Sequence, residues 1–433
     1  MRALRKITQN VAARPRMKAS LIVVGGNVLG AGAAFAAAIV AARVLPVEGF
    51  AAFGIGLAVN SLAVQFADFG LGTVAIAETA DSSDPHVARA KLRRLVLHRI
   101  RTGLAVALLV AAVVLVLPPL SPYRTEGLIA AGGEVFGSLA FFFIWCLQGE
   151  RRFVAAGAMQ GLQGFLRLGL VGACAVAGLG AASMMVAYAI VAPLATLLLA
   201  GVLLFASPPV PGDFEPVSGS SEIDLDRRRV MAFTGVFSAM VINGDVLLLA
   251  MLSGQQDVAA YTAAWRFSSG VLLANTAIAS AFLPFIVTAP DPWTEARHLV
   301  RRGLAIGAGW LALTPAMAIV GPILLGSLGD DARLPLILLL VAFAIDGFYF
   351  VVYQIYLRVR RERMLLAISV LELTVMVGVT ILLRGQGASA PAYGQLAARV
   401  AVCLAVAAPI GLAWAKRCDW FERGAPDPPP VPG

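Results

Sequence analysis

Apolar residues run along this chain in long unbroken stretches separated by short polar turns, without the one-sided periodicity of soluble helices or the alternation of half-buried strands. A helix needs about 20 such residues to cross roughly 30 Å of hydrocarbon. The pattern predicts twelve spans, near residues 20–42, 50–79, 102–121, 127–148, 153–177, 181–206, 230–253, 257–287, 303–326, 333–357, 364–383 and 391–415. The second and eighth are long enough to require tilt or a kink. The first follows a basic stretch, as a cleaved signal would. It is too long for a signal core and opens a series of spans, so it reads as a membrane helix. The expected fold is an all-α polytopic membrane protein.

One long polar interruption, residues 207–229, divides six spans from six. Its Pro, Gly, Ser and acidic residues, ending in Arg227, Arg228 and Arg229, suit a linker between two bundles. The expected organisation is a basic tail (1–19), a six-helix lobe (20–206), the linker (207–229), a second six-helix lobe (230–415) and a Pro-rich tail (416–433). The halves echo each other. Phe50-Ala51-Ala52-Phe53 opens the second span and Val258-Ala259-Ala260-Tyr261 opens the eighth, 208 residues later. An even number of spans per half makes such repeats parallel, related by an axis along the membrane normal, with a substrate path between them.

Charge gives the bundle a direction. Of 34 Lys and Arg residues, 27 fall in the tails and every second connection, beginning with Arg2 to Lys18 and then Arg89, Lys91, Arg93, Arg94, Arg99 and Arg101. The opposite connections hold only Arg43, Arg124, Arg333 and Arg384. Short loops rich in Lys and Arg stay in the cytoplasm, so both termini are expected there. The net charge of +9 therefore reflects topology and attraction to anionic lipid, not nucleic-acid binding. With 59% hydrophobic and 14% charged residues, a soluble domain is excluded. Cys146, Cys174, Cys403 and Cys418 are scattered and His86, His98 and His298 sit in or beside basic loops, so neither a disulfide framework nor a metal site is expected. No phosphate-binding loop for ATP is present, and no cofactor is expected beyond a coupling H+ or Na+.

Ionisable groups inside spans are costly and mark function by default. They are Asp68, Glu134, Arg167, Asp245, Arg266, Asp346, Glu372 and Arg399, five acids and three bases. Asp245 and Arg266 lie on consecutive spans, each about ten residues from the intervening turn, so at equal depth they can pair. That pair would act either as a static strut or in gating. Arg167 and Arg399 are candidates for an anionic head group, because guanidinium grips phosphate bidentately. The alternative is that they bond neighbouring carbonyls, Glu134 or Glu372. Asp346 and Glu372 are the candidates for a carboxyl that carries a proton. Gly26 and Gly30, four apart in span one, suit close helix packing.

The run Arg43-Val44-Leu45-Pro46-Val47-Glu48-Gly49-Phe50-Ala51-Ala52-Phe53, followed by Ala67-Asp68-Phe69-Gly70-Leu71, resembles the first hairpin of the polysaccharide flippases. These are the O-antigen-type lipid-linked oligosaccharide flippases of the multidrug/oligosaccharidyl-lipid/polysaccharide exporter superfamily. Asp245-Val246-Leu247, Val258-Ala259-Ala260-Tyr261, Arg266-Phe267 and Leu283-Pro284 agree in the second half. The chain departs from the pattern at Ala51 and Ala259, where the family often carries Gly. The resemblance implies a two-lobed, ion-driven transporter of the cell inner membrane that moves an undecaprenyl-diphosphate-linked glycan between leaflets, for polysaccharide or lipopolysaccharide O-antigen assembly alongside other assembly proteins. It implies a basic cavity, and places Arg43, Asp68, Asp245 and Arg266 at motif positions. Arg43, near a span end, also suits a simple helix anchor.

Two other functions compete. A multidrug exporter of the same superfamily shares the fold, and five interior acids against three bases suit cationic cargo. A polysaccharide polymerase or ligase would place catalytic groups in long outer loops, and every outer connection here is short, so an enzyme is not expected.

Overall fold

The computed structural model describes residues 15–68, 72, 85–206, 225–288, 292–358 and 362–416, with nothing but helices and turns among them. Twelve rods follow in order: α1 (Pro15–Val44), α2 (Val47–Asp68), α3 (Pro85–Val116), α4 (Arg124–Gly149), α5 (Phe153–Val176) and α6 (Ala181–Ala206) form the first set. Next come α7 (Leu225–Leu252), α8 (Gln255–Thr288), α9 (Pro292–Leu325), α10 (Gly329–Arg358), α11 (Glu362–Leu382) and α12 (Ser389–Lys416). The expected linker falls mostly on residues 207–224, outside the described residues.

Eight stretches among the described residues are long and apolar enough to cross a membrane, and one of them, Arg301–Phe348, runs through both α9 and α10. Leu108, Val116, Val154, Leu198 and Leu404 stand exposed on outward faces, as lipid contact requires.

The repeat is visible in which helices pack. In the first lobe α1 lies on α5, α2 on α4, α3 on α4 and α4 on α6; in the second, α7 lies on α11, α8 on α10, α9 on α10 and α10 on α12. Each pair maps onto its counterpart six helices later. The contacts between lobes obey the same two-fold: α1 meets α8, α7 meets α2, and α2 meets α8 on the axis. There Gly54 abuts Thr262, residues related by the same 208-residue offset as the sequence echo. Gly54 is required at that crossing, since a methyl group would fall 2.5 Å from the Thr262 Cγ2.

The lobes are pinched together at the end opposite the basic clusters. Residues 50–60 of α2 and 258–265 of α8 are buried all round, whereas Gln65, Phe66, Gly270 and Leu273, further along, are exposed. The Phe35 and Phe267 rings, 6.1 Å apart, join α1 to α8 near the pinch. Arg43 completes it: its Nε donates to the Leu324 carbonyl at 2.7 Å and Nη2 to Ile323 at 3.1 Å, capping α9 of the other lobe. Being exposed, these bonds are weak. Arg43→Ala is expected to loosen the pinch by less than about 1 kcal/mol, read as faster hydrogen exchange in residues 50–60.

The helix boundaries correct one expectation. The helix described for the second span reaches Asp68, and the rest of the expected span to residue 79 lies, but for Gly72, outside the described residues. α3 begins at Pro85, not near 102, which carries Arg99 into the lobe. Arg93, Arg94, His98 and Arg101 are exposed along the same helix, but Arg99 is fully buried and belongs to the interior.

Candidate functional site

Among the described residues, the ionisable groups of the interior gather chiefly in three places. The largest lies inside the second lobe. Arg399, on α12, sets its Nε 3.1 Å from Asp346 Oδ1 of α10 and its Nη1 against Glu372 Oε1 of α11. One turn earlier on α12, Gln395 donates from Nε2 to Asp245 Oδ2 at 2.7 Å and to the Val241 carbonyl at 2.6 Å. The Tyr261 hydroxyl donates to the same Asp245 oxygen, and the Val246 amide donates to Oδ1 at 2.7 Å. Five helices are thus tied by one network whose members are almost wholly buried.

Asp245 therefore does not pair with Arg266. A count of residues from a turn leaves the rotation of each helix open: Tyr261 of α8 bonds Asp245, and Arg266 stays within electrostatic reach without an ion pair. Arg399 takes the alternative role, bonded to Glu372 rather than facing the gap.

The second group lies inside the first lobe. Arg99 of α3 donates to the Ala67 carbonyl and stands 3.6 Å from Asp68 Oδ1, both at the end of α2. Glu134 of α4 is fully buried nearby, within electrostatic reach of Arg99.

The third group lies where the lobes meet. In α6 the Ala192 amide bonds back to the Ala187 carbonyl, a five-residue step that widens the helix into a π turn over Ala187–Val191. The Tyr188 carbonyl thereby loses its usual donor, and the next residue that could serve, Pro193, has no N–H. Arg167 of α5 fills the vacancy: its Nε donates to Tyr188 O at 3.3 Å, and its guanidinium lies 4.3 Å from the Tyr188 ring centroid. Arg266 of α8 stacks over Trp265 at 5.2 Å and lies within electrostatic reach of Tyr188, Asp245 and Arg167. Tyr188 also meets Phe53 of α2 edge-on, with ring centroids 6.0 Å apart. Both arginines are half-buried, and neither has a carboxylate at ion-pair distance among the described residues. Each spends its charge on an aromatic face, which holds a cation without neutralising it.

The nine candidates thus separate by place. Asp245, Asp346, Glu372 and Arg399 sit in the second lobe; Asp68 and Glu134 sit in the first; Arg167 and Arg266 lie at the interface; Arg43 bolts the pinch. Sequence reasoning missed Arg99, Tyr188, Tyr261 and Gln395. Pro193 inside an apolar span was the signal for the π turn, Arg99 lies on a stripe at helical spacing, and Tyr261 and Gln395 carried no anomaly that would single them out.

The profile of the polysaccharide biosynthesis protein family matches residues 17–289. No curated protein matches the sequence. Among solved structures, the fold is similar to an inward-facing multidrug resistance MATE family transporter of the MOP superfamily, with a TM-score of 0.68, 15% identity and coverage of 92% of this chain and 99% of that one. An outward-facing MATE family transporter matches with a TM-score of 0.62 at 15% identity over 94% and 96% of the two chains. So does a MOP superfamily transporter from Pyrococcus furiosus, described as having a binding pocket of reversed polarity, with a TM-score of 0.59 at 15% identity over 91% and 96%. At such identities the likeness shows the fold, and the sequence profile supplies the kinship: the chain belongs to the polysaccharide biosynthesis protein family.

Proposed function

We propose that this transporter flips a polyprenyl-diphosphate-linked oligosaccharide, a polysaccharide or O-antigen precursor, across the inner membrane by ion-coupled alternating access, without catalysing a reaction. The single observation that carries the reading is the Arg167 and Arg266 pair at the lobe interface, two guanidiniums without a carboxylate partner. The excess of interior acids, which favoured cationic cargo, loses its force once their positions are considered. Three of them are enclosed with Arg399 and Gln395, and the other two lie beside Arg99, so the interface itself is basic. A diphosphate offers two anionic centres to two such groups.

The basic clusters favour a topology with the open side of the gap toward the cytoplasm, where a lipid-linked precursor is made, and with both termini on that side. A polymerase or ligase would need a catalytic loop, and the described connections opposite the basic side are single turns such as Pro118–Tyr123, Gly326–Leu328 and Arg384–Gln386.

The test is binding of an isoprenyl diphosphate to the purified full chain in lipid. Arg167→Ala and Arg266→Ala should each weaken it about ten- to hundred-fold, the worth of about 1.5–3 kcal/mol for a charge-assisted hydrogen bond. Tight binding of a lipophilic cation such as ethidium, with no diphosphate binding, would assign the chain to drug export.

A further inference from the structure

Glu134 and Arg99 form an ion pair that the protein has positioned and not made. Glu134 is fully buried in the middle of α4, and neither of its oxygens has a hydrogen-bond partner. The Ser138 hydroxyl, one turn on, is close but donates to the Val135 carbonyl at 3.3 Å. Gly103 of α3 faces the carboxyl, and a methyl there would stand 3.4 Å from Oε2, so the absence of a side chain keeps the space between α3 and α4 open. Arg99 has the complementary surplus. One nitrogen is engaged with Ala67 and Asp68, while Nε and Nη2 are buried without partners. A charged carboxylate with no donor is costly in such a site, so the neutral acid suits this geometry.

We infer that Glu134 is a proton-binding site and that Arg99 is its counter-charge, held at the end of α2 while Glu134 is protonated and drawn to it when the proton leaves. Asp68, a quarter exposed beside Arg99 at the open part of the gap, is the way out for the proton. The ionisable groups on the helices packed against α4 are few. α2 presents Asp68 and α3 presents Arg99. α5 presents Arg167 and α6 presents Tyr188, which are engaged with each other, and residues 192–206 of α6 carry none. α4 itself adds Glu126 at the far end, beside Arg124. Because Arg99 grips the end of α2, and α2 forms the pinch with α8, its transfer would pull on the contact between lobes.

This inference deepens the transport reading by naming the driving ion, yet its test does not need a substrate. Infrared spectra of the full chain in lipid should show a buried protonated carboxyl band that Glu134→Gln removes. Protection of residues 50–60, with exchange corrected for its intrinsic base-catalysed rate, should fall as pH rises in the unaltered protein and stay high and pH-independent in Glu134→Gln, which mimics the protonated acid. Arg99→Gln should keep the band as pH rises and lose the exchange response. A band that survives Glu134→Gln, or a Glu134→Gln or Arg99→Gln protein whose exchange follows pH as the unaltered protein does, would overturn the inference. Isoprenyl diphosphate binding separates the two readings, since its absence from the unaltered protein would remove the flippase and leave the proton site standing.

Discussion

Replacing Arg399 with Met is expected to destabilise the protein by about 3–5 kcal/mol, because it leaves two buried carboxylates without their cation. Asp346 and Glu372 are 1% and 3% exposed and meet the one guanidinium from α10 and α11. Removing it exposes each to the full penalty of an unpaired charge in a medium with almost no water. Replacing all three at once, Arg399→Met with Asp346→Asn and Glu372→Gln, should recover most of the loss, since amides need no counter-ion. The thermal unfolding midpoint of the full chain in lipid checks this. A single variant no less stable than the triple one would show that the three groups do not depend on each other. Tyr261→Phe and Gln395→Leu act on the adjoining Asp245 and should cost less singly, because each leaves that carboxylate two other donors.

The membrane fold was legible because its cause is crude: unbroken apolar runs have one stable use. The two-fold was legible for the same reason, and the short echo at Phe50 and Val258 marks the two helices that touch on the axis. Boundaries were harder. Arg99 was assigned to a cytoplasmic cluster because four exposed basic residues surround it. Yet Leu92, Arg99, Gly103, Ala107 and Val114 recur at helical spacing, all buried on one face of α3. That stripe was in the sequence, and the density of charge hid it.

Sites were less legible than spans, for a geometric reason. Counting residues from a turn gives depth at 1.5 Å per residue, but partners also need a shared azimuth. Asp245 and Arg266 lie within electrostatic reach of each other, yet Asp245 bonds Tyr261 and Gln395 instead. Arg399 and Glu372 satisfied both conditions. The basic interface was hidden more deeply, because the number of acids and bases in the spans says nothing about which face the gap. Only packing separated the enclosed acids from the two arginines that stack on aromatic rings.

The packing of α1 on α5 supplies the last expectation, and it bears on that arginine site. The two backbones run so close that a methyl on Gly164 would fall on the Gly30 carbonyl oxygen, and one on Gly26 would fall on that of Gly157. Backbone cannot rotate away as a side chain can, so even Gly164→Ala must push the helices apart. That overpacking should cost about 1–3 kcal/mol, and Gly164→Leu more. Gly169 and Gly172 on the same helix have nothing within 4 Å of an added methyl, and alanine there should be neutral or slightly stabilising from helix propensity alone. Arg167 stands one turn beyond Gly164, so a displaced α5 also carries its guanidinium away from Tyr188. Gly164→Ala is therefore expected to lower both the unfolding midpoint and isoprenyl diphosphate affinity, and Gly169→Ala neither. Equal behaviour of the two variants would mean that α1 does not set the position of Arg167.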